Sequence, residues 1–390
     1  MTNLPDQLRG NELGTFTHHS VAVRLPEIAR RMVADNDFGA TAEAAVELLI
    51  ADIDSGGIAK LTGSGPNQAE WDSYVAPHLG LSWLDAPWFF VELYFYRRIM
   101  DAVAYWDTGR DPFRRQKQLG LEQAIEPGRT TLASIDAAYA RGVSTDFLLV
   151  QLTDAALWGN QVDLSLWPAE DGGSAALDSH EERLLIDQRP GAIRSLRDRP
   201  PPPVDIVLDN AGSELVADLL VADLLLRSDL ASVVRLHAKA YPIFVSDAMA
   251  IDVAETMRHF AADTNSHLRS AGERLAAEQH AGRLRITEDP YWVSPLEWRD
   301  RPATIDAAFH DSGLVIVKGD ANYRRLVGDR HWDFTTPFAE AVGDSPAPIL
   351  ALRTLKSEVA AGLEADSIDA AATADPEWLV NGRWAVASFH

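Results

Sequence analysis

The chain has 390 residues, 46% of them apolar and 24% charged, the make-up of a globular protein with room for one large core or two modest ones. Its 35 basic and 58 acidic residues leave a net charge of -23, which weighs against nucleic-acid or membrane partners and requires a locally basic site for any anionic substrate. The absence of cysteine removes disulfides, thiolate metal sites and cysteine nucleophiles together.

The N-terminus, "MTNLPDQLRGNELG", shows no basic-then-apolar signal pattern, so a cytoplasmic protein is expected. From about 20 to 165 apolar residues recur at three- and four-residue spacings, which predicts a helical bundle. Within it "APWFFVELYFYRRI" is rich in aromatics around Glu92, a composition that usually marks core. "LWGNQVDLSLW", with Asn160 and Asp163, reads as a plain turn. Residues 167 to 203 are polar and turn-rich and end in four prolines, which cannot enter a helix or a central strand. A domain junction is placed there, giving a helical domain over 1–200 and an α/β domain over 201–390.

After the prolines the rhythm changes. "VDIVLD" predicts a buried strand, and a helix over 212–227 follows. That helix, the most apolar in the chain, is interrupted by Asp218 and Asp223 and is too short to span a bilayer. "SVVRLHAKAYPIFVSD" adds strand-like stretches before a helical pattern from 249 to 280. "LRITED", "GLVIVKGD" and "PAPILALRTLK" supply further strands. Strands alternating with helices predict a doubly wound, mostly parallel sheet, in which ligands bind beyond the carboxyl ends of the strands.

Those ends carry the polar residues. The first offers Asp209 and Asn210, with Glu214 one helical turn on; the next offers Lys239, Ser246 and Asp247. The third offers Lys318, Asp320, Asn322 and Arg324, and the last Arg353 and Lys356. Asp209, Asn210 and Asp247 are hard oxygen donors that suit Mg²⁺ or Mn²⁺ better than zinc or copper. The cations suit a phosphate, as do backbone amides at the helix start after Gly212. Each fragment alone has a bland reading: Asp-Asn before Ala-Gly is ordinary turn and cap composition, "KGD" a turn, "RTLK" a basic helix start. Their shared position at successive strand ends is what points to a site.

Other motifs are incomplete. "SHEERLL" lacks the second histidine of a zinc-protease helix, and His18, His19, His259 and His267 show no ligand spacing. "AGSEL" is no nucleophile elbow, "LTGSGPNQ" no phosphate-binding loop, and no dinucleotide fingerprint follows "VDIVLD".

Taken together, "LDNAGSELVADLL", "AKAYPIFVSD", "VKGDANYRRL", "WDFTTPF" and "LRTLKSEV", with "WFFVELYFYRRI" and "LWGNQVDLSL" in the first half, resemble the metal-dependent damage-control phosphatases. The likeness is to the branch first described as acidic-residue (protein-glutamate) methyltransferase. It implies a helical N-terminal bundle joined to a three-layer α/β domain. It implies Mn²⁺, Co²⁺, Ni²⁺ or Mg²⁺ on Asp209, Asn210 and Asp247. Substrate contacts would come from the stretch Asp320, Ala321, Asn322, Tyr323 and Arg324, from Lys356, and from Glu92 and Asn160. The implied activity is hydrolysis of simple sugar phosphates such as fructose 1-phosphate. Ser213, where a bulky aromatic is usual, and Ala321, where a leucine is usual, depart from the family pattern.

The expected protein is thus a phosphatase of a small phosphorylated metabolite. Lys318, Arg324 and Lys356 would neutralise phosphate oxygens. The attacking group would be metal-bound water or Asp209, with Asp320 a proton donor or a hydrogen-bond acceptor. An S-adenosylmethionine-dependent carboxyl methyltransferase is the alternative, to which Glu214 and Asp247 would contribute; the missing Gly-rich loop weighs against it. A silent sugar-phosphate-binding scaffold is a third reading, disfavoured by carboxylates at every motif position.

Overall fold

β-Branched and leucine-rich runs between the helices assemble into one seven-stranded sheet. In the computed structural model, which describes residues 4–63, 65–159, 182–197 and 200–390, the strand order is β1-β7-β6-β5-β2-β3-β4. The strands are β1 Leu184–Asp187, β2 Val204–Val207, β3 Val234–Ala238, β4 Leu284–Glu288, β5 Leu314–Lys318, β6 Ile349–Thr354 and β7 Ala385–Phe389. All neighbours pair in parallel except β6 with β7. The chain winds from β2 outward through β3 and β4, then returns to place β5 on the other side of β2. The strand order therefore reverses beside β2, and its C-terminal end is where a crevice opens in such sheets.

Side-chain alternation along each strand divides two apolar layers. Val207, Val315, Val317, Ile349 and Ala351 face a core that includes the aromatic helix Trp88–Ala102. Ile206, Leu208, Leu314, Ile316, Leu350 and Leu352 face the opposite core, with helices Arg114–Ala140, Thr145–Trp158 and Ser213–Arg227. The predicted α/β architecture is present, and the helical N-terminal half supplies material to both outer layers. The aromatic stripe around Glu92 is core, with Phe89, Phe90, Tyr94 and Phe95 all buried.

Three details differ from expectation. β1 lies within the stretch read as polar and turn-rich, so one strand of the sheet precedes the proline run. β7 closes the sheet at the C-terminus as its antiparallel partner to β6. The pattern from 249 to 280 is two helices, Ala250–Ala261 and Ser266–His280, the second capped by the Asn265 side chain, which accepts from the N–H groups of His267 and Leu268. Among the described residues no helix is long and apolar enough to cross a membrane.

One buried polar cluster ties the central strands. Asp205 on β2 takes a bidentate pair from Arg235 at 2.8 and 2.7 Å, a 2.7 Å contact from His237 Nε2, and the Ser312 hydroxyl. Burial pushes its carboxyl up, but His237 and Arg235 outweigh burial and hold it below the ordinary range. The stability this confers is present above the unfolded carboxylate pKa of about 3.9 and is lost as pH falls further, toward the depressed folded value. Thermal unfolding followed from pH 7 to pH 2 should show the midpoint dropping below about pH 4. Asp205→Asn should flatten that acid limb while costing about 1–3 kcal/mol at neutral pH, because half-buried Arg235 is left with the exposed Asp311, at 2.9 Å, as its ionic partner.

Candidate functional site

The end of β2 is held by backbone hydrogen bonds to a segment that follows β3. The Ala248 N–H donates to the Asp209 carbonyl and the Ala211 N–H to the Ser246 carbonyl, each at 2.7 Å, which makes an antiparallel bridge between Asn210 and Asp247. The Lys239 N–H donates to Ala248 O at 2.9 Å and adds the tip of β3 to the same knot. The turn before Asp247 is strained: Phe244 and Val245 have φ of 47° and 68°, a region unfavourable to aromatic and β-branched residues, at about 1–3 kcal/mol each. The bridge and the packing of the Phe244 ring on Tyr96, centroids 5.2 Å apart, hold it there.

Two glycines shape the approach. Gly319, just after β5, has φ of 85°, and a Cβ there would fall 1.9 Å from Asp209 Oδ2. Gly212, also at φ of 85°, brings the start of the helix Ser213–Arg227 against the backbone of Gly120, where a Cβ would meet the Gly120 carbonyl at 3.2 Å. Glu214 stands in the first turn of that helix.

Asp209 and Asp247 are 7% and 1% exposed. Asn210 Nδ2 donates to Asp209 Oδ2 and to Glu214 Oε1, both at 2.8 Å, while its Oδ1 accepts from the Ser246 hydroxyl. Asp247 Oδ2 is buried with no hydrogen bond; Lys239 Nζ lies 3.4 Å from it. Burial, then the charges of Asp247 and Glu214, push the Asp209 carboxyl far above its ordinary value, against the opposing pull of Lys239 and Lys356. Burial raises Asp247 too, opposed by Lys239 and Lys117. Burial lowers Lys239 in turn.

Two buried carboxylates that share the charge of Lys239, one with an oxygen that accepts no hydrogen bond, form a cradle that a hard divalent cation suits. Among the described residues no group of three His, Cys, Asp or Glu side chains is arranged around a common centre for a metal, so a third donor here is the Asn210 carboxamide. Its nitrogen faces the Asp209 and Glu214 carboxylates; a half-turn of the amide keeps the shape and presents the oxygen instead. The residues fit a cation of that class.

The other predicted residues divide. Lys239 is central, its Nζ donating to Asn322 Oδ1 at 2.8 Å. Asn322 also donates to Leu208 O and Lys318 O, so it ties the tips of β2, β3 and β5 from a buried position. Asp320 Oδ1 accepts from Arg353 Nε at 2.8 Å, the Ser357 hydroxyl at 3.0 Å and the Lys356 N–H at 3.2 Å. Burial opposes its ionisation, but Arg353 and Arg324 hold its carboxyl below the ordinary range, which suits the acceptor alternative and not the proton donor. The adjacent Ala321 is half-buried.

Three cations expected on a phosphate are instead consumed inside the protein. Lys318 Nζ donates to Ala156 O and Asp218 Oδ1. Arg324 donates to Glu92 at 2.6 Å and bidentately to Asp329 at 3.0 and 2.7 Å, over the Trp88 ring at 3.5 Å. Arg353 is fully buried, bonded to Asp320, Ser357 and Val359 O above the Tyr323 ring. Tyr323 in turn accepts from the Ala361 N–H at 3.1 Å. Carboxylates that the sequence scattered elsewhere, Glu92, Asp218 and Asp329, neutralise these cations. Lys356, exposed, is the predicted cation left at the rim, and its charge reaches Asp209.

Asn160 lies outside the described residues; Gly159 before it packs against Glu214. Sequence reasoning missed Lys117, whose charge acts on Asp247 from the helix Arg114–Ala140, and it missed Gly319. The carboxylate inside the apolar run at Asp218 was a visible signal for the Lys318 pair.

The damage-control phosphatase ARMT1-like domain family matches residues 20–370. The zebrafish (Danio rerio) damage-control phosphatase ARMT1 is 30% identical, with 99% of this chain and 97% of that protein covered. The rat (Rattus norvegicus) protein of the same name is 34% identical over 79% of this chain and 75% of its own length. The crystal structure of a DUF89 family protein from Pyrococcus horikoshii superposes with TM-score 0.48 at 14% identity, over 87% of this chain and 92% of that one.

Gly319→Ala should cost about 2–4 kcal/mol, from the left-handed backbone and the collision with the Asp209 carboxylate. Urea denaturation monitored by tryptophan fluorescence measures it; a loss below roughly 0.5 kcal/mol, the level of a neutral surface change, would show that Asp209 is not confined by Gly319.

Proposed function

This chain belongs to the ARMT1-like damage-control phosphatase family, and from that premise we propose that it is a divalent-metal-dependent phosphatase acting on small phosphorylated metabolites, with simple sugar phosphates such as fructose 1-phosphate as its substrate class. The observation that carries the reading is the backbone bridge that sets Asp209 and Asn210 beside Asp247 at the C-terminal edge of the sheet. Asp209, Asn210 and Asp247 hold the metal, and Mn²⁺, Co²⁺, Ni²⁺ and Mg²⁺ all match their oxygen donors. A cation of this kind, when bound, stabilises charge on the transferring phosphoryl group by several kcal/mol.

The protein's own groups do the rest. Lys239, locked by Asn322, keeps a positive charge 3.4 Å from Asp247 and so limits repulsion within the carboxylate pair. Lys356 at the rim attracts the anionic substrate across a protein of net charge -23. The first-turn amides of the helix Ser213–Arg227 present donors to an anion, and Gly212 lets the backbone come close. Asp320, ionised and anchored on one oxygen, keeps the other as an acceptor for a substrate hydroxyl. Lys318, Arg324 and Arg353 act as positioning residues, each fixing a strand tip or the Asp320 loop through buried ion pairs.

Asp209→Ala and Asp247→Ala should each lower divalent-metal-dependent phosphate release by about a thousandfold or more. In chelator, Asp209→Asn should unfold at or above the wild-type midpoint, since it removes repulsion among Asp209, Asp247 and Glu214. The rise in midpoint that Mn²⁺ produces in the wild type should vanish in this variant. Wild-type activity in either alanine variant, or an undiminished Mn²⁺ shift in Asp209→Asn, rules the site out.

A further inference from the structure

Beside the carboxylate cradle lies a second hollow. A cavity of about 310 Å³ opens between the N-terminal helical segment, the helix Trp88–Ala102 and the strained turn before Asp247. Its floor is apolar, built from Leu25, Met32, Phe113 and Val245. Its volume is within the range of pockets that hold small molecules. Two features connect it to the cradle. Val245 is two residues from Asp247, and Tyr96, which lines the cavity, stands in the electric field of Asp247.

The charges on its rim run against those of the molecule as a whole. Arg24, Arg31 and Arg115 border it, against Asp35 and Glu92. Glu92 is already neutralised by Arg324 at 2.6 Å, and Arg31 stands 3.7 Å from Asp35. Arg24 and Arg115 are exposed and make no ion pair or side-chain hydrogen bond among the described residues. Arg24 does not wave free: its guanidinium lies 5.1 Å over the Phe16 ring, and its charge reaches Glu92 and Tyr96. Uncommitted arginines on an apolar pocket, in a chain with 58 acidic residues available to pair them, are what recognition of an anion requires.

We propose that this cavity takes the part of the substrate distal to the reacting phosphate, and that Arg24 and Arg115 bind a second anionic group carried there, so that among small phosphorylated metabolites those with a second anionic group, of the bisphosphate or phospho-carboxylate type, bind more tightly than simple monophosphates. This rests on the phosphatase reading for the reacting phosphate and adds a specificity site to it. The apolar floor packs the carbon skeleton, and Val245 couples occupancy of the cavity to the turn that delivers Asp247. A monophosphate of the same sugar leaves the two arginines without a partner, which is the source of discrimination.

Calorimetry on chelator-treated protein, in which hydrolysis is off, tests this with fructose 1,6-bisphosphate, 3-phosphoglycerate and fructose 1-phosphate as probes. At least one of the two probes with a second anionic group should bind tenfold or more tighter than fructose 1-phosphate. That preference should fall to about twofold or less in Arg24→Ala/Arg115→Ala and persist in Arg24→Lys/Arg115→Lys. Tighter binding of 3-phosphoglycerate identifies the second anion as a carboxylate; tighter binding of the bisphosphate identifies a phosphate. Equal affinity for all three probes in the wild type, no measurable binding of either two-anion probe, or a preference that survives the double alanine change overturns the proposal. Release of phosphate from p-nitrophenyl phosphate with Mn²⁺ on the same preparations reports separately on the phosphatase reading. A protein that prefers the two-anion probes but releases no phosphate would sink that reading alone.

Discussion

Two hydrogen bonds between main-chain groups, Ala248 N–H to Asp209 O and Ala211 N–H to Ser246 O, fix the geometry of the candidate site. They force Asp209 and Asp247 together in a place where water cannot screen them. Each carboxylate would be comfortable alone at a surface; together and buried they are a standing electrostatic cost. The surrounding fold holds them there. The sheet supplies β2 and β3 at fixed spacing, Gly319 gives way to the Asp209 side chain, and Asn322 clamps three strand tips at once. The strained turn at Phe244 and Val245 belongs to the same arrangement, since a relaxed turn would deliver Asp247 elsewhere.

Charge is distributed with economy around this point. The basic residues nearest the site are mostly occupied: Lys318 with Asp218, Arg324 with Glu92 and Asp329, Arg353 with Asp320. Such buried pairs add rigidity and orientation more than net stability, because desolvation offsets much of the attraction. Their effect is that the strand ends are stiff and that few cations remain at the mouth. Lys356 is one. Arg24 and Arg115 on the neighbouring cavity are two more. In a chain this acidic, those few positive charges define where an anion can approach.

The family relationship and the site geometry bear on different questions. Membership in the ARMT1-like damage-control phosphatases is a statement about nearly the whole chain, residues 20–370. The geometry concerns only the C-terminal edge of the sheet and what surrounds it. A cradle of hard oxygen donors next to exposed cations is the kind of environment in which phosphoryl charge is stabilised, which is what the proposed function asks of that edge. Glu92 illustrates how the two differ. It lies within a stretch that carries the family likeness, yet its carboxylate is taken up by Arg324, whose guanidinium lies over the Trp88 ring, in an ion pair inside the protein.

Much of this was legible from the residues in order. Period-two and period-three-to-four spacings of apolar side chains give the parallel strands and the helices between them, and polar residues at strand ends mark the candidate edge, because both patterns are local. Asp209, Asn210 and Asp247 are singled out by type and position, and the structure brings them together. What the chain order does not hold is pairing across distance. β1 and β7 are short segments whose strand character comes from joining an existing sheet edge. Lys117 and Gly319 matter only because of what folds against them, and Lys318, Arg324 and Arg353 look like free phosphate ligands until Asp218, Glu92, Asp329 and Asp320 arrive from elsewhere. Which cations remain unpaired is a property of three-dimensional neighbours, since Coulomb and hydrogen-bond energies depend on separation in space and not along the chain.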